Sequence, residues 1–243
     1  MGEYETALMA GARAVMTDSI LAWRDIAADS FNRTGELRNG VETGAWARIY
    51  GGESKYKGGS LNIENSYKAV QVGFDKEIGD WTVGTVIDYR EGESDYMLGG
   101  EGEHKNYSLG IYGTKDLGNG SYLDVAAKSG HVENDYDVYN EIGRLMDGEY
   151  SVSGYSISAQ YGKRFESGKS YLEPQLQLTW AHIDGDDYTA VSKGQTMDIN
   201  QEAFDSFVGR IGIEAGQESD HGRYFARLSL NHEFNGDTGI TCR

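Results

Sequence analysis

Residues 172–180, Leu-Glu-Pro-Gln-Leu-Gln-Leu-Thr-Trp, alternate between apolar and polar side chains without a break. A period of two is the pattern of a β-strand that has one apolar and one polar face. Because Pro174 cannot donate a ladder hydrogen bond, we expect a local bulge at this position. The same alternation recurs about every 20 residues along the chain. It predicts ten strands, at residues 45–51, 67–77, 81–90, 105–117, 121–132, 152–165, 170–184, 188–198, 204–216 and 223–234.

The segments between the predicted strands are of two kinds, which alternate along the chain. Residues 79–80, 118–120 and 167–169 are short and contain glycine, as in tight hairpin turns. Residues 51–66, 91–103 and 133–151 are long and acidic, and we expect them to be solvated loops. An antiparallel up-and-down meander would place the tight turns at one end and the long loops at the other. This asymmetry is typical of transmembrane β-barrels.

The two faces of the predicted strands indicate which solvent each face meets. The polar face carries Ser, Thr, Gln, Gly and isolated charges, which suits a water-filled pore, and the apolar face then meets hydrocarbon. Aromatic residues lie near strand ends, as in an interfacial girdle, at Trp81, Tyr89, Tyr107, Tyr161, Trp180 and Tyr224. The predicted pore-facing residues are Asp75, Asp88, Glu173, Gln175, Gln177, Arg210, Glu214 and Arg227. The predicted lipid-facing residues are Val70, Val72, Leu172, Leu176, Leu178, Trp180, Ile211 and Leu228.

The N-terminal part of the chain has a helical pattern instead. Residues 6–31 contain many alanines, no proline, and apolar residues at spacings of three and four. A second stripe consists of small residues, Ala7, Ala10, Gly11 and Ala14, which would let the helix approach a surrounding wall closely. The periodicity alone equally fits an amphipathic helix packed on the outside of a sheet.

Composition excludes several classes of protein. The 243 residues carry a net charge of −17, which repels phosphate backbones and argues against nucleic-acid binding. No segment approaches the ~20 consecutive apolar residues of a membrane-spanning helix. Cys242 is the single cysteine, so the chain cannot form an internal disulfide.

Several stretches resemble one family over nearly the whole chain and in the family's order. GARAVMTDSILAWRDIAADSFNRTGELRNG followed by GAWARIYGG is similar to the linker helix and first strand of the autotransporter translocator domain of type V secretion. The similarity continues through YKAVQVGFDKEIGDWTVGTVIDY, YSLGIYGTKDLGNGSYLDVAAKSG, SAQYGKRFESGKSYLEPQLQLTWAHIDG, FVGRIGIEAG and ARLSLNHEF. No single motif is very specific, but the ordered set is.

The resemblance implies a monomeric twelve-stranded barrel in the outer membrane of a Gram-negative bacterium. The helix would lie in the pore and join the barrel to a secreted passenger, which is absent from this sequence. The implied partners are this passenger, outer-membrane lipid and the barrel-assembly machinery. On this basis residues 1–33 are the linker helix, residues 34–44 a linker, and residues 45–243 the barrel.

The sequence departs from the family at its C-terminal end. We count ten strands where the family has twelve, and the family's C-terminal aromatic residue is not found. We therefore expect a fragment whose first and last strands are unpaired edges. Because open edges in lipid leave backbone groups unsatisfied, we expect that this chain does not insert stably alone.

Sequence motifs for catalysis are absent. There is no G-x-S-x-G, H-E-x-x-H or P-loop, and the five histidines are scattered, so we expect no enzyme activity, no cofactor and no metal site. Some autotransporters cleave the passenger beside an Asn, but Asn32-Arg33 and Asn39-Gly40 do not match their Asn-Asn or Asn-Asp junction. The inward carboxylates could act as acids or bases, but we expect them to hydrate the pore or to pair with the arginines at 13, 24, 48 and 210.

Three alternative functions remain open from the sequence. One is a porin-like or adhesive outer-membrane barrel without a passenger. Another is a soluble ligand-binding barrel of lipocalin type, which would need an apolar interior. The third is an outer-membrane enzyme, which would need a convergent Ser/His or Asp/His cluster.

Overall fold

The fold is an antiparallel sheet that curls around a short helix. The computed structural model describes residues 14, 16–18, 23, 31–58, 61–96, 100–139, 145–192, 195–219, 222–235 and 240–242. A helix at Asn32–Arg38, here called the inner helix, precedes the strands. The strands are β1 Ala45–Gly58, β2 Leu61–Ile78, β3 Trp81–Tyr96, β4 Glu101–Gly118, β5 Ser121–Tyr139, β6 Leu145–Lys163, β7 Phe165–Ser167, β8 Ser170–Ile183, β9 Asp186–Ser192, β10 Gln195–Gln201, β11 Phe204–Ser219, β12 Gly222–Glu233 and β13 Ile240–Cys242.

The order of the sheet follows the order of the chain. The main path is β1-β2-β3-β4-β5-β6-β8-β11-β12, and every neighbouring pair is antiparallel. β7 pairs with the start of β8, and β9, β10 and β13 lie off this path. In the part of the chain that the structure describes, no ladder joins β1 to β12. The predicted fold class, an antiparallel β-barrel architecture with an N-terminal helix inside, is confirmed.

Burial alternates along the strands with the polar side inward. On β8, Glu173, Gln175 and Gln177 are buried, whereas Leu176 and Leu178 between and beside them are exposed. This is the reverse of a soluble protein, in which the apolar face is the buried one. The arrangement excludes the soluble ligand-binding barrel, which required an apolar interior. Within the described residues, no helix has both the length and the apolar character needed to cross a membrane.

The long acidic connectors are not loops, and that prediction was wrong. β1 and β2 stay paired out to Gly58↔Leu61, and β5 and β6 stay paired out to Tyr139↔Leu145. β3 and β4 remain in register as far as Asp95↔Glu101. The strands therefore extend well beyond the apolar segment as long hairpins. At the ends of these hairpins, the outward residues are polar. The alternation that predicts a strand with an apolar outward face is therefore lost there.

Two further details differ from the sequence prediction. The expected strand at 188–198 is instead two antiparallel strands, β9 and β10, which pair out to Ser192↔Gln195. At Pro174 there is no bulge, because the β8–β11 register continues through Pro174↔Ile213. The ladder on the other side stops at Gly162↔Gln175 and resumes at Phe165↔Leu172. The sheet accommodates the missing N–H of Pro174 by this gap, which keeps the register unchanged.

Candidate functional site

The inner helix lies inside the curled sheet and touches it through polar groups. Its sequence is Asn-Arg-Thr-Gly-Glu-Leu-Arg, and Arg33 and Thr34 are buried. The helix extends into the segment 34–44 that the sequence assigned to a linker. It ends at Asn39 and Gly40, where Gly40 has φ of 85°, a conformation that glycine adopts without strain at a helix C-terminus.

The first anchor of the inner helix is a buried ion pair between Arg33 and Asp75 on β2. Arg33 Nε donates to Asp75 Oδ2 at 2.7 Å, and Nη2 donates to Oδ1 at 3.1 Å. The Tyr112 hydroxyl and the Gly44 backbone N–H also donate to this carboxylate, at 2.7 and 2.9 Å. Several hydrogen bonds therefore hold both side chains in place.

The second anchor joins the inner helix to β5. Arg38 Nη1 donates to Asp124 Oδ1 at 2.6 Å, and Thr34 Oγ1 donates to Asp124 Oδ2 at 2.9 Å. The Arg38 guanidinium also lies 3.5 Å from the centroid of the Tyr122 ring, which is a close cation–π contact. Two helical side chains thus converge on one buried carboxylate.

Further contacts reach other strands. Glu36 Oε1 accepts a hydrogen bond from Arg48 of β1 at 2.5 Å. Arg164, between β6 and β7, donates to Asn39 Oδ1, also at 2.5 Å. The inner helix and the residue after it are therefore tied to β1, β2, β5 and the β6–β7 junction at once, which fixes both its depth and its rotation.

Residues upstream of the inner helix also lie inside the sheet. Of the predicted small-residue stripe, Ala14 is helical and fully buried, while Ala7, Ala10 and Gly11 lie outside the described residues. Asp18 accepts hydrogen bonds from Ser94 at 2.5 Å and Tyr96 at 3.2 Å, at the far end of β3. Trp23 is buried against Gly130, where a Cβ would meet its ring at 2.8 Å.

The predicted pore-facing residues lie on the inner side of the sheet. Asp75, Asp88, Glu173, Gln175, Gln177 and Glu214 are buried, Arg210 is half-buried, and Arg227 is more open. Of the arginines predicted to pair with their carboxylates, those at 13 and 24 lie outside the described residues. Ion pairs within the described residues join Asp75 to Arg33, Asp88 to Lys128 at 3.0 Å and Glu214 to Arg227 at 2.6 Å, while Glu173 accepts hydrogen bonds from Tyr122 and Gln175.

The predicted lipid-facing residues point away from the helix. Ile211 and Leu228 are 68% and 72% exposed. The exposed members of the set also include Val70, Val72, Leu172, Leu176 and Leu178, and Trp180 is half-buried. All of them lie on the outer face of the sheet. Among the described residues, no group of three His, Cys, Asp or Glu side chains could hold a metal ion.

The interior residues missed from the sequence include Arg33, Arg38, Asp124 and Lys128. Asp124 and Lys128 have the same parity as the inward Tyr122 on β5, so the alternation rule would have found them. Arg33 and Arg38 carried no such signal, because the inner helix has no apolar stripe that would mark it as a helix.

Inward tyrosines lie over glycines on the neighbouring strand. Tyr112 is opposite Gly84, Tyr122 is opposite Gly162, and Tyr171 is opposite Gly216. At each of these glycines, a Cβ atom would overlap the tyrosine ring or hydroxyl. The glycines therefore make the space that lets large aromatic rings lie flat against the inner wall.

Comparisons with known proteins agree with this geometry. The family model described as Autotransporter beta-domain matches residues 45–241. The probable autotransporter YcgV of Escherichia coli strain K12 is 30% identical over 220 residues, which cover 85% of this chain and 23% of that protein. The pertactin autotransporter of Bordetella parapertussis is 28% identical over 216 residues, covering 84% of this chain and 23% of that protein. The chain thus spans less than a quarter of these relatives.

Solved structures show the same fold. The translocator domain of autotransporter NalP from Neisseria meningitidis superposes with a TM-score of 0.76 at 17% identity, covering 92% of this chain and 81% of that one. The beta domain of the Bordetella autotransporter Brka gives a TM-score of 0.64 at 23% identity, covering 82% and 85%. The curled sheet, its polar interior and the helix inside it are accounted for together: this chain belongs to the autotransporter beta-domain family.

Proposed function

We propose that this chain is an outer-membrane translocator, which carries a passenger joined to its N-terminus to the surface of a Gram-negative cell. The observation that carries this proposal is the helical segment inside the sheet, anchored by Arg33–Asp75 and Arg38–Asp124 and followed directly by β1. A chain that continues upstream of this segment has to leave through the pore.

The direction of the helical segment supports the same function. Asp18 contacts Ser94 and Tyr96, near the long-hairpin end of β3, whereas Arg38 contacts Asp124, near the tight turn that begins β5. The end of the sheet that carries the long hairpins is here called the long-hairpin rim, and the end that carries the tight turns is called the tight-turn rim. The chain therefore runs from the long-hairpin rim to the tight-turn rim before β1 starts at Ala45. A passenger joined upstream would emerge at the long-hairpin rim, which faces the cell exterior in outer-membrane barrels.

The interior suits transport and positioning rather than catalysis. The four inward carboxylates that the sequence singled out are engaged with Arg, Lys, Tyr or Gln side chains, and these contacts hold the helix and wall in place. We infer that the domain itself is not an enzyme. Relatives such as serine protease EspC of Escherichia coli, of which this chain covers 19%, are much longer proteins.

We extend the proposal to partners and location. The domain acts as a monomer in outer-membrane lipid, placed there by the barrel-assembly machinery, with residues 45–243 as the barrel and the preceding segment as its helix and linker. The apolar outer band supports the lipid environment. A porin-like barrel without a passenger is less well supported, because the helical segment occupies the interior where an open channel would lie.

The test is the side of the membrane on which the N-terminus emerges. An epitope inserted in the natural gene directly upstream of residue 1 should be labelled by antibody on intact cells and removed by external protease. The same epitope placed in the tight turn at residues 118–120 is the control and should become accessible only after the outer membrane is permeabilised. Labelling of the upstream epitope only in permeabilised cells would overturn the proposal.

A further inference from the structure

At the tight-turn rim, lysines lie on the outward face of the strands and carboxylates lie at inward positions. On β2, Lys76 shares the outward parity of Val72 and Phe74, and the adjacent Glu77 shares the inward parity of Asp75. On β4, Lys115 shares the parity of the exposed Ile111, and the adjacent Asp116 falls on the inward parity. On β6, Lys163 shares the parity of the exposed Ile157 and Tyr161. In all three strands, one outward position near the tight turns is a lysine.

Two of these lysines lie next to aromatic rings. Lys115 is directly opposite Trp81 in the β3–β4 register, and its ammonium lies 6.0 Å from the centroid of a Trp81 ring. The Lys163 ammonium lies 5.3 Å from the Phe165 ring. An aromatic ring beside an amphipathic lysine is the usual anchor at the headgroup level of a membrane. Lys115 also contacts Asp80 in the turn, at 3.2 Å, an exposed pair that salt and competing phosphate weaken easily.

The opposite rim mixes both signs of charge on its outward face. Cross-strand neighbours there form acidic rows in register, one of Glu93, Glu103, Asp135 and Glu149, the other of Asp95, Glu101, Asp137 and Asp147. Two lysines of this rim lie directly opposite carboxylates, at Lys55↔Glu64 and Lys68↔Glu91. The three lysines of the tight-turn rim instead lie opposite Val83, Trp81 and Ser121, so no cross-strand carboxylate competes there with a lipid phosphate.

We propose that Lys76, Lys115 and Lys163 form a basic belt that binds the phosphates of anionic phospholipid headgroups, such as phosphatidylglycerol, in the leaflet at the tight-turn rim. The inference rests on the proposed function only in that the outer face must meet lipid. A lysine close to an anionic membrane surface favours the lipid about twofold to fivefold, so three lysines should give a readily measured preference.

The test uses Trp81, which lies within the belt, as a reporter. The full chain is folded in micelles that contain brominated phosphatidylglycerol or brominated phosphatidylcholine, and quenching of tryptophan emission is compared. A Trp81→Phe variant gives the emission from the other tryptophans, which is subtracted. The belt variant replaces all three lysines with Gln. The matched control replaces Lys55, Lys57 and Lys68, three lysines of the long-hairpin rim, with Gln. Circular dichroism and heat-modifiable gel migration check that each variant is folded.

We expect Trp81 to be quenched at least threefold more effectively by brominated phosphatidylglycerol than by brominated phosphatidylcholine. The belt variant should show no preference, and the control variant should keep that of the wild type. Equal quenching by the two lipids in the folded wild type would overturn the inference, as would a preference that survives in the belt variant. Failure of the N-terminal epitope to reach the cell surface, with the lipid preference intact, would instead contradict the translocator function alone.

Discussion

Replacement of Asp75 with Asn should strongly destabilise the helix inside the sheet. The carboxylate accepts four hydrogen bonds, two from Arg33 and one each from Tyr112 and Gly44. The Asn amide keeps a single acceptor oxygen and turns an NH₂ group toward these donors. The side chain of Arg33 is only 5% exposed, so its charge would remain buried with only the longer contact to Glu36, at 3.4 Å, as a counter-charge. Breaking a buried pair in this way typically costs about 3–5 kcal/mol.

The measurement is urea unfolding of the folded chain in detergent micelles, followed by tryptophan emission. Trp46 is a suitable reporter, because its indole N–H donates to Tyr112 at 2.9 Å and its ring lies 5.4 Å from the Arg33 guanidinium. The matched control is Glu64→Gln, which removes a carboxylate from the exposed Lys55–Glu64 pair, and should leave the midpoint unchanged.

A double variant separates the ion pair from simple loss of packing. Replacing Arg33 with Met and Asp75 with Leu removes both charges, so neither is left buried and unpaired. This double variant should be more stable than Asp75→Asn. If Asp75→Asn shifts the free energy of unfolding by less than about 1 kcal/mol in a folded protein, the pair is solvated and the anchoring argument is wrong.

Three further predictions concern the wall, the chemistry and the outer face. Gly162→Ala should cost about 1–3 kcal/mol in the same unfolding assay, because the new Cβ pushes Tyr122 away. Gly212→Ala is the control and should be tolerated, because its nearest neighbours lie at 3.5 Å or more, and equal effects of the two variants would refute the account of the aromatic rings. Glu173→Gln should leave passenger processing in the natural protein unchanged on immunoblots, and a loss of processing would assign this carboxylate a catalytic role. Ile211→Lys should cost the natural full-length protein about 2–4 kcal/mol in lipid vesicles, because a charge there lies in hydrocarbon, and a neutral result would contradict the lipid-facing assignment.

The sequence was informative wherever a strand had two chemically different faces. On β8, the alternation of Leu with Glu and Gln predicts the strand, its inward side and its outward side. At the hairpin ends the rule fails, because outward Glu93 and Asp95 alternate with inward Ser94, which is also polar. Pairing there depends on the partner strand, which a single strand's pattern does not describe.

The interior anchors were harder to predict for a different reason. Asp124 lies 86 residues from Arg38 along the chain, and the curl of the sheet brings them together. The sequence also did not predict that the inner helix continues to Arg38. Thr34 and Gly35 both have low helix propensity, so the local sequence favoured a linker there. Tertiary contacts of the two arginines, rather than local preference, account for helix at this position.

The agreement between chain order and sheet order has a consequence for assembly. Each strand from β2 to β6 pairs with the strand synthesised just before it, so these contacts close short loops and cost little chain entropy. Later on the main path, β11 has to reach β8 across the intervening strands β9 and β10. We therefore expect β1 to β6 to pair one hairpin after another. The pairing of β8 with β11 should be the slow step in forming the sheet.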